Sequence, residues 1–311
     1  MSTALMVHGV EHRDMRVLIL GGSGMLGHQL WRTFGGRFDT RATLRGSPAA
    51  YAFPGGVDVS RAIGHVSAHD FDGVTRAVAA ARPDVVVNCI GIVKQDAAAK
   101  DPYQSIAVNA LFPHRLAHLC GAAGARLLHL STDCVFSGRR GNYHETDVSD
   151  AEDLYGRSKA LGEVDYEHCL TMRTSMIGRE LAGTHGLLEW FLAQRGTAVR
   201  GFRRAVFSGF TTAALAEVIG DIIEHHPRLH GVWHVAADPI NKFDLLSLVR
   251  QAFDLDVEIQ PDDAFVCDRS LDAERFRRET GFAPPPWPAM IERLAGDAST
   301  YERVRAMRAA C

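Results

Sequence analysis

The run Tyr155-Gly156-Arg157-Ser158-Lys159 places a phenol and an amine four residues apart. On a helix that spacing puts both groups on one face. A free tyrosine titrates near pH ~10, and a neighbouring ammonium favours the phenolate, drawing the group towards useful acid–base range. A Tyr/Lys pair alone is also what a solvated helix shows by chance, so its weight depends on what surrounds it. Upstream, Ser131-Thr132-Asp133 follows an apolar run, and Thr132 offers the hydroxyl a site needs to polarise a substrate carbonyl. Near the start, Gly21-Gly22-Ser23-Gly24-Met25-Leu26-Gly27 separates a strand pattern from a helix pattern. Glycines there permit a tight turn and let backbone N–H groups approach a pyrophosphate at a helix N-terminus. Glycine loop, hydroxyl and Tyr/Lys pair, in that order, describe a dinucleotide-dependent carbonyl chemistry.

Other residues carry weaker signals. Arg45 follows the second strand, where an NAD enzyme would carry an acidic residue for the ribose. Arginine suits a 2′-phosphate and so NADPH, although surface arginines are common on any loop. Lys94 follows the fourth strand and either meets a phosphate or faces solvent. His114 and His118 have i,i+4 spacing but lack the intervening glutamate of a His-Glu-x-x-His zinc site, so no metal is expected. Cys134 lies beside Thr132 without a histidine to activate it, which argues against a nucleophilic cysteine.

The elements that must position these groups alternate as βαβ units, the pattern of a doubly wound α/β sheet. Strands are expected at 16–20, 38–44, 85–90, 126–130 and 170–174, with a weaker one at 65–69. A long helix is expected over 102–123, kinked or locally broken because Pro113 lacks a donor. After residue 174 the alternation loosens, with helices near 187–194 and 213–225, a strand at 232–236 and a helix capped by Asn241. This predicts a loose extension at 1–14, a Rossmann-like domain at 15–172 and a smaller lobe at 173–311, of which 206–236 returns to the sheet. The chain has 311 residues, 46% hydrophobic and 23% charged, with a net charge of −3, which excludes disorder and gives no electrostatic reason to expect nucleic acid or an anionic membrane as partner. The absence of a signal-peptide pattern, a long apolar run and any Cys-x-x-Cys among six cysteines points to reduced thiols in the cytoplasm.

The chain resembles the extended short-chain dehydrogenases/reductases, and within them the dTDP-4-dehydrorhamnose reductase family. Ser131-Thr132-Asp133-Cys134-Val135-Phe136-Ser137-Gly138 is similar to that family's Ser-Thr-Asp-Tyr-Val-Phe-x-Gly. Glu145-Thr146-Asp147 and Tyr155 through Glu163 match its Glu-Thr-Asp and Tyr-Gly-x-Ser-Lys-x-x-Gly-Glu, and Arg173-Thr174-Ser175, 209–212, 231–234, Arg269-Ser270-Leu271-Asp272 and Pro286-Trp287 resemble later landmarks. The resemblance implies that Tyr155 is the general acid, that Lys159 binds the nicotinamide ribose and lowers the tyrosine pKa, and that Thr132 orients the carbonyl. It implies a dinucleotide held by Gly21, Ser23, Gly24, Met25, Leu26, Gly27, Arg45, Cys89, Ile90 and Gly91, with Asp70 and Phe71 near the adenine. Lys94, Asp133, Cys134, Ser175, Met176, Arg269 and Trp287 are the implied substrate contacts. The implied reaction is NAD(P)H-dependent reduction of the C4 ketone of a nucleotide-linked 4-keto-6-deoxy sugar, by a monomer or homodimer. Alternatives are an epimerase or dehydratase of the same fold, or a non-catalytic regulatory subunit like that of methionine adenosyltransferase. Cys134 and Met176 depart from the family's tyrosine and tryptophan, which removes aromatic surface and suggests a sugar with a larger C2 substituent such as N-acetyl.

Overall fold

The computed structural model describes residues 14–309. All but the last residue of the expected extension 1–14, and Cys311, lie outside the described residues. The first half folds into β1 (Arg16–Leu20), β2 (Asp39–Thr43), β3 (Ala62–Ile63), β4 (Val85–Asn88), β5 (Arg126–Leu130) and β6 (Cys169–Arg173). Together with the strand Gly231–His234 they form one sheet in the order Gly231–His234, β6, β5, β4, β1, β2, β3. Every pairing in it is parallel. Val17 and Ile19 face one apolar layer, and Leu18 and Leu20 the other. A strand buried on both faces reads as an unbroken apolar run, as Val17 to Leu20 does. This is a Rossmann-like, doubly wound α/β fold. The chain leaves β1 towards β2 and later returns to β4 on β1's other side, so the crevice where such folds take ligands opens between β1 and β4.

Two local expectations are revised. The weak strand at 65–69 is replaced by Ala62–Ile63, because His65 turns the chain with φ at 58°. The helix expected over 102–123 begins as Pro102–Ser105, widens to a π-helix over Ile106–Leu111, and resumes as Phe112–Ala123. Pro113 stands in the first turn of that last piece, where its missing donor costs least.

Helix α1 (Met25–Phe34) follows the glycine loop and packs beneath Thr212–His225. A second contact comes from the far end of the chain, where the helix Ala298–Ala309 brings Tyr301 against α1. The His28 ring reaches the Gly24 carbonyl through Nδ1 at 2.7 Å and the Tyr301 hydroxyl through Nε2 at 2.7 Å. A carbonyl only accepts, so Nδ1 carries the proton and Tyr301 donates to Nε2. Full burial depresses the His28 pKa to about 4, in keeping with a neutral ring. Arg32 adds two bonds to Asp297, at 2.7 and 2.9 Å.

In the second half, short strands carry loops back towards the sheet. Met176–Ile177 pairs with Phe210–Thr211, and Ala205–Phe207 lies between Ile240–Asn241 and Cys267–Asp268. Asn241 caps the helix Lys242–Ala252 by accepting from the Asp244 N–H at 2.8 Å.

Candidate active site

The glycine loop is built to keep backbone close to backbone. Gly21 has φ of +84°, and its N–H donates to Thr43 Oγ1 at 3.1 Å, while Gly22 N–H donates to the Thr43 carbonyl at 2.8 Å. A side chain at Gly27 would overlap the Gly21 carbonyl oxygen and lie 2.9 Å from its carbon. The loop is therefore a cradle that only glycine leaves open, at the N-terminus of α1. Cys89 and Ile90, just past β4, line its other side, since a Cβ on Gly21 would sit 3.2 Å from Ile90 Cγ1 and 3.3 Å from the Cys89 carbonyl carbon. Gly91 is exposed beyond them. Ser23 and Met25 are half-buried and Leu26 is core. Arg45 lies just after β2, exposed and without a hydrogen bond or ion pair among the described residues. Asp70 is the N-cap of α2 (Phe71–Ala81), accepting from Gly73 N–H at 3.0 Å, and Phe71 lies under the Arg115 guanidinium.

Thr132 leaves β5 and caps the short turn Asp133–Val135, accepting from Cys134 N–H at 3.1 Å and donating to Asp133 Oδ1 at 3.2 Å. The helix Leu154–Leu161, capped by Asp153, sets Tyr155 and Lys159 against this turn. Gly156 makes the approach possible, because a methyl there would overlap the Cys134 carbonyl oxygen. Tyr155 is half-buried, with its phenol beside the Thr132 hydroxyl. The spacing does bring the three groups together, but one electrostatic expectation is corrected. Burial pushes the Tyr155 phenol up rather than down, and the nearby Cys134, Asp133 and Asp153 add to that push. Lys159 is not among the groups that act on it: the residue is 5% exposed, and its ammonium donates to the Leu130 carbonyl at 2.6 Å. The same desolvation lowers the Lys159 pKa to about 8. Burial thus favours the neutral phenol.

Sequence reasoning missed the residues that brace this group. Asn109 lies in the π-helix, fully buried, and clasps Ile92 through both its N–H and C=O at 2.9 and 3.0 Å while reaching Ser158 at 3.3 Å. Its signal was an amide in an otherwise apolar helical run. Glu163 accepts from Ser131 at 2.7 Å and from Arg173 at 2.7 and 2.8 Å, tying β5, β6 and the helix Leu154–Leu161 into one unit.

The expected substrate contacts divide. Asp133, Cys134, Ser175 and Met176 border the Thr132 turn or the strand beside it. Burial raises the Asp133 pKa and pushes the Cys134 thiol up to about 12, so the thiol is no nucleophile. Arg269, just past the strand Cys267–Asp268, reaches this turn, donating to the Phe136 carbonyl at 2.8 Å and the Ser137 carbonyl at 3.3 Å. Lys94 is drawn to Asp153 at 2.6 Å, so it braces the cap of the helix Leu154–Leu161. Trp287 is corrected to a core residue: it is 6% exposed, packs on Phe207 and spends its indole N–H on the Asp238 carbonyl. His114 engages the Leu161 carbonyl and the Tyr166 hydroxyl. Lys242, not foreseen, faces Asp133 and Cys134 from the start of the helix Lys242–Ala252.

A family model described as RmlD substrate binding domain matches residues 15–299. A dTDP-4-dehydrorhamnose reductase of Streptomyces griseus is 37% identical over 149 residues, which span 48% of this chain and 43% of that protein. The chain thus aligns with less than half the length of that curated relative. A probable dTDP-4,6-dihydroxy-2-methyloxan-3-one 4-ketoreductase of Streptomyces antibioticus is 30% identical over 264 residues, 78% of each chain. Among solved structures, a dTDP-4-dehydrorhamnose reductase of Bacillus anthracis in complex with NADP superposes with a TM-score of 0.73 at 21% identity, covering 90% of this chain and 98% of that one. A Thermus thermophilus UDP-glucose 4-epimerase in complex with NAD gives the same TM-score at 20% identity, over 93% and 99%, so these likenesses speak to fold alone.

Proposed function

Because the chain belongs to the family of the RmlD substrate binding domain, we propose that it is an NADPH-dependent reductase of the C4 ketone of a nucleotide-linked 4-keto-6-deoxy sugar. The observation that carries this reading is the placing of the Tyr155 phenol beside the Thr132 turn by the helix Leu154–Leu161, with Lys159 fixed on the Leu130 carbonyl at the end of β5. The cradle of Gly21, Gly24 and Gly27, flanked by Cys89 and Ile90, fits a dinucleotide, and the free guanidinium of Arg45 suits a 2′-phosphate. NADH remains a second cofactor for the same cradle, whose loop contacts are backbone.

When bound, the nicotinamide supplies the hydride that adds to C4. The protein's own part is to hold the ketone oxygen between the Thr132 and Tyr155 hydroxyls and to donate the Tyr155 proton to the oxygen as negative charge develops there. A phenol pushed up by burial is protonated throughout the neutral range, which suits reduction. Lys159, anchored on the Leu130 carbonyl, presents a cation to the ribose hydroxyls.

A dehydratase would need an acid/base pair beside the threonine, whereas Thr132-Asp133-Cys134 has one carboxylate, bonded to Thr132 itself. A purely regulatory role needs no Thr132, Tyr155 and Lys159 set. No helix among the described residues is long and apolar enough to cross a membrane, and five described cysteines are free thiols, which supports a cytoplasmic setting. The test is NADPH oxidation with a panel of 4-keto-6-deoxy nucleotide sugars, wild type against Tyr155→Phe. Turnover that drops ~10²–10⁴-fold in the variant, with NADPH still bound, is expected. Tight cofactor binding without turnover on any 4-keto sugar would favour the regulatory reading.

A further inference from the structure

Lys242 is a cation in a place where folding alone would not put one. It is the first residue of the helix Lys242–Ala252, at the end whose free N–H groups already carry positive partial charge. A lysine serving solubility would extend its ammonium into water. Here the Nζ turns inward, 3.5 Å from the centre of the Phe207 ring, and is half-buried. Phe207 in turn rests on the buried Trp287, so the lysine lies on a fixed aromatic floor.

The ammonium has three donors, yet it makes no hydrogen bond or ion pair among the described residues. An aromatic face attracts a cation but accepts none of those protons in a directed way. The titratable groups nearest to it are Asp133, Cys134 and Cys267, of which the carboxylate of Asp133 is the one anion. Asp133 is engaged by the Thr132 hydroxyl. The other cation in this group, Arg269, is already satisfied by the Phe136 and Ser137 carbonyls, and Asp153 is paired with Lys94. One cation therefore remains whose donors lack acceptors, next to the turn that carries Thr132. Cys134, close to the ammonium, belongs to that same turn and brings only a short side chain to it.

We propose that Lys242 is a specificity-determining residue that donates to an acyl or carboxylate oxygen carried by the sugar ring of the substrate. The inference rests on the nucleotide-sugar reading above and sharpens it. A plain 6-deoxy sugar offers the ammonium only hydroxyls, whereas an acetamido carbonyl or a carboxylate is a stronger acceptor.

Binding tests this without any turnover. UDP-glucose, UDP-N-acetylglucosamine and UDP-glucuronate share one nucleotide, so calorimetric titration of the NADPH-loaded protein compares sugar substituents directly. Lys242→Met is expected to weaken one of the two oxygen-bearing sugars about tenfold or more while changing UDP-glucose little, a loss typical of a bond to a charged donor. Selective loss on UDP-N-acetylglucosamine identifies an acyl oxygen, and selective loss on UDP-glucuronate a carboxylate. Lys242→Arg, which keeps the charge, is expected to recover part of that selectivity, and NADPH affinity and melting temperature report that the fold is intact. Equal weakening of all three sugars, or no weakening, overturns the proposal. A wild type that shows this selectivity yet reduces no 4-keto sugar would refute the reductase reading and leave Lys242 standing.

Discussion

A single methyl group at Gly156 is expected to disable catalysis while leaving the glycine cradle whole. In the structure a Cβ at this position would overlap the Cys134 carbonyl oxygen and lie 2.5 Å from the Ala151 Cβ. Unstrained carbons sit about 3.5–4.0 Å apart, so relief requires a shift of roughly 1 Å. Neither neighbour can give way readily. Cys134 lies in the turn capped by Thr132, and Ala151 N–H is bonded to the Val135 carbonyl at 3.0 Å. The helix Leu154–Leu161 must therefore retreat, carrying Tyr155 away from Thr132. Helix propensity alone would make Gly156→Ala stabilising by about 1 kcal/mol, whereas overpacking costs about 1–3 kcal/mol, so a modest net loss of stability is expected. The catalytic effect should be larger, because a displacement of ~1 Å in a positioned group can cost ~10²-fold. The assay is kcat from NADPH absorbance, with NADPH affinity from a fluorescence titration and Gly36→Ala as the control, since nothing lies within 4 Å of that position. A folded Gly156→Ala protein with a kcat indistinguishable from wild type would refute the claim that this contact sets the Tyr155–Thr132 distance.

Arg45→Asp should invert the NADPH/NADH ratio of kcat/KM, since hydrogen bonds to a charged phosphate contribute about 1.5–3 kcal/mol; an unchanged ratio would make Arg45 an ordinary surface residue. Reduction should slow as pH rises through about 8, where the Lys159 ammonium loses its proton, with no second limb from the phenol that burial holds protonated; a rate unchanged well beyond that pH would disprove the assignment. Acid should destabilise the fold through His28, whose pKa falls from the unfolded 6.5 to about 4. Between those values the unfolded chain binds more protons, so stability is full above pH 6.5 and declines towards pH 4, by about 3 kcal/mol in all; His28→Gln should flatten that part of a melting-temperature profile.

The sequence made β1 and the glycine loop legible because local rules decide them: an apolar strand, then glycines that a Cβ would block, then an amphipathic helix. The order Thr132, Tyr155, Lys159 was legible for the same reason, since turn and helix spacing fix which groups can share a face. What spacing does not encode is how much water each group loses. The Tyr155 phenol was expected to move down beside an ammonium, yet desolvation outweighs that charge and the ammonium is held by Leu130. Trp287 carried a family landmark but only the packed lobe shows its indole turned to Asp238 and its ring against Phe207. Lys242 sat unnoticed at the start of an ordinary amphipathic helix, because the face it presents depends on strands that meet only in three dimensions. Pro113 announced irregularity without its form, and the π-helix that answered it also delivered Asn109 to Ile92.

The bond between Tyr301 and His28 makes the grip on the dinucleotide a property of both ends of the chain. His28 holds the carbonyl of Gly24, and Tyr301 holds His28, so the loop and the helix Ala298–Ala309 share one hydrogen-bonded thread. Thermodynamic reciprocity then applies: a ligand that orders the loop must order the docking of that helix by the same free energy, and undocking it must loosen the ligand equally. Most of the helix lies past residue 299, where the family match stops. Amide exchange around Tyr301, far along the sequence from the glycine loop, would therefore slow on cofactor binding, and variation in the helix Ala298–Ala309 would retune affinity without touching a single residue of the cradle.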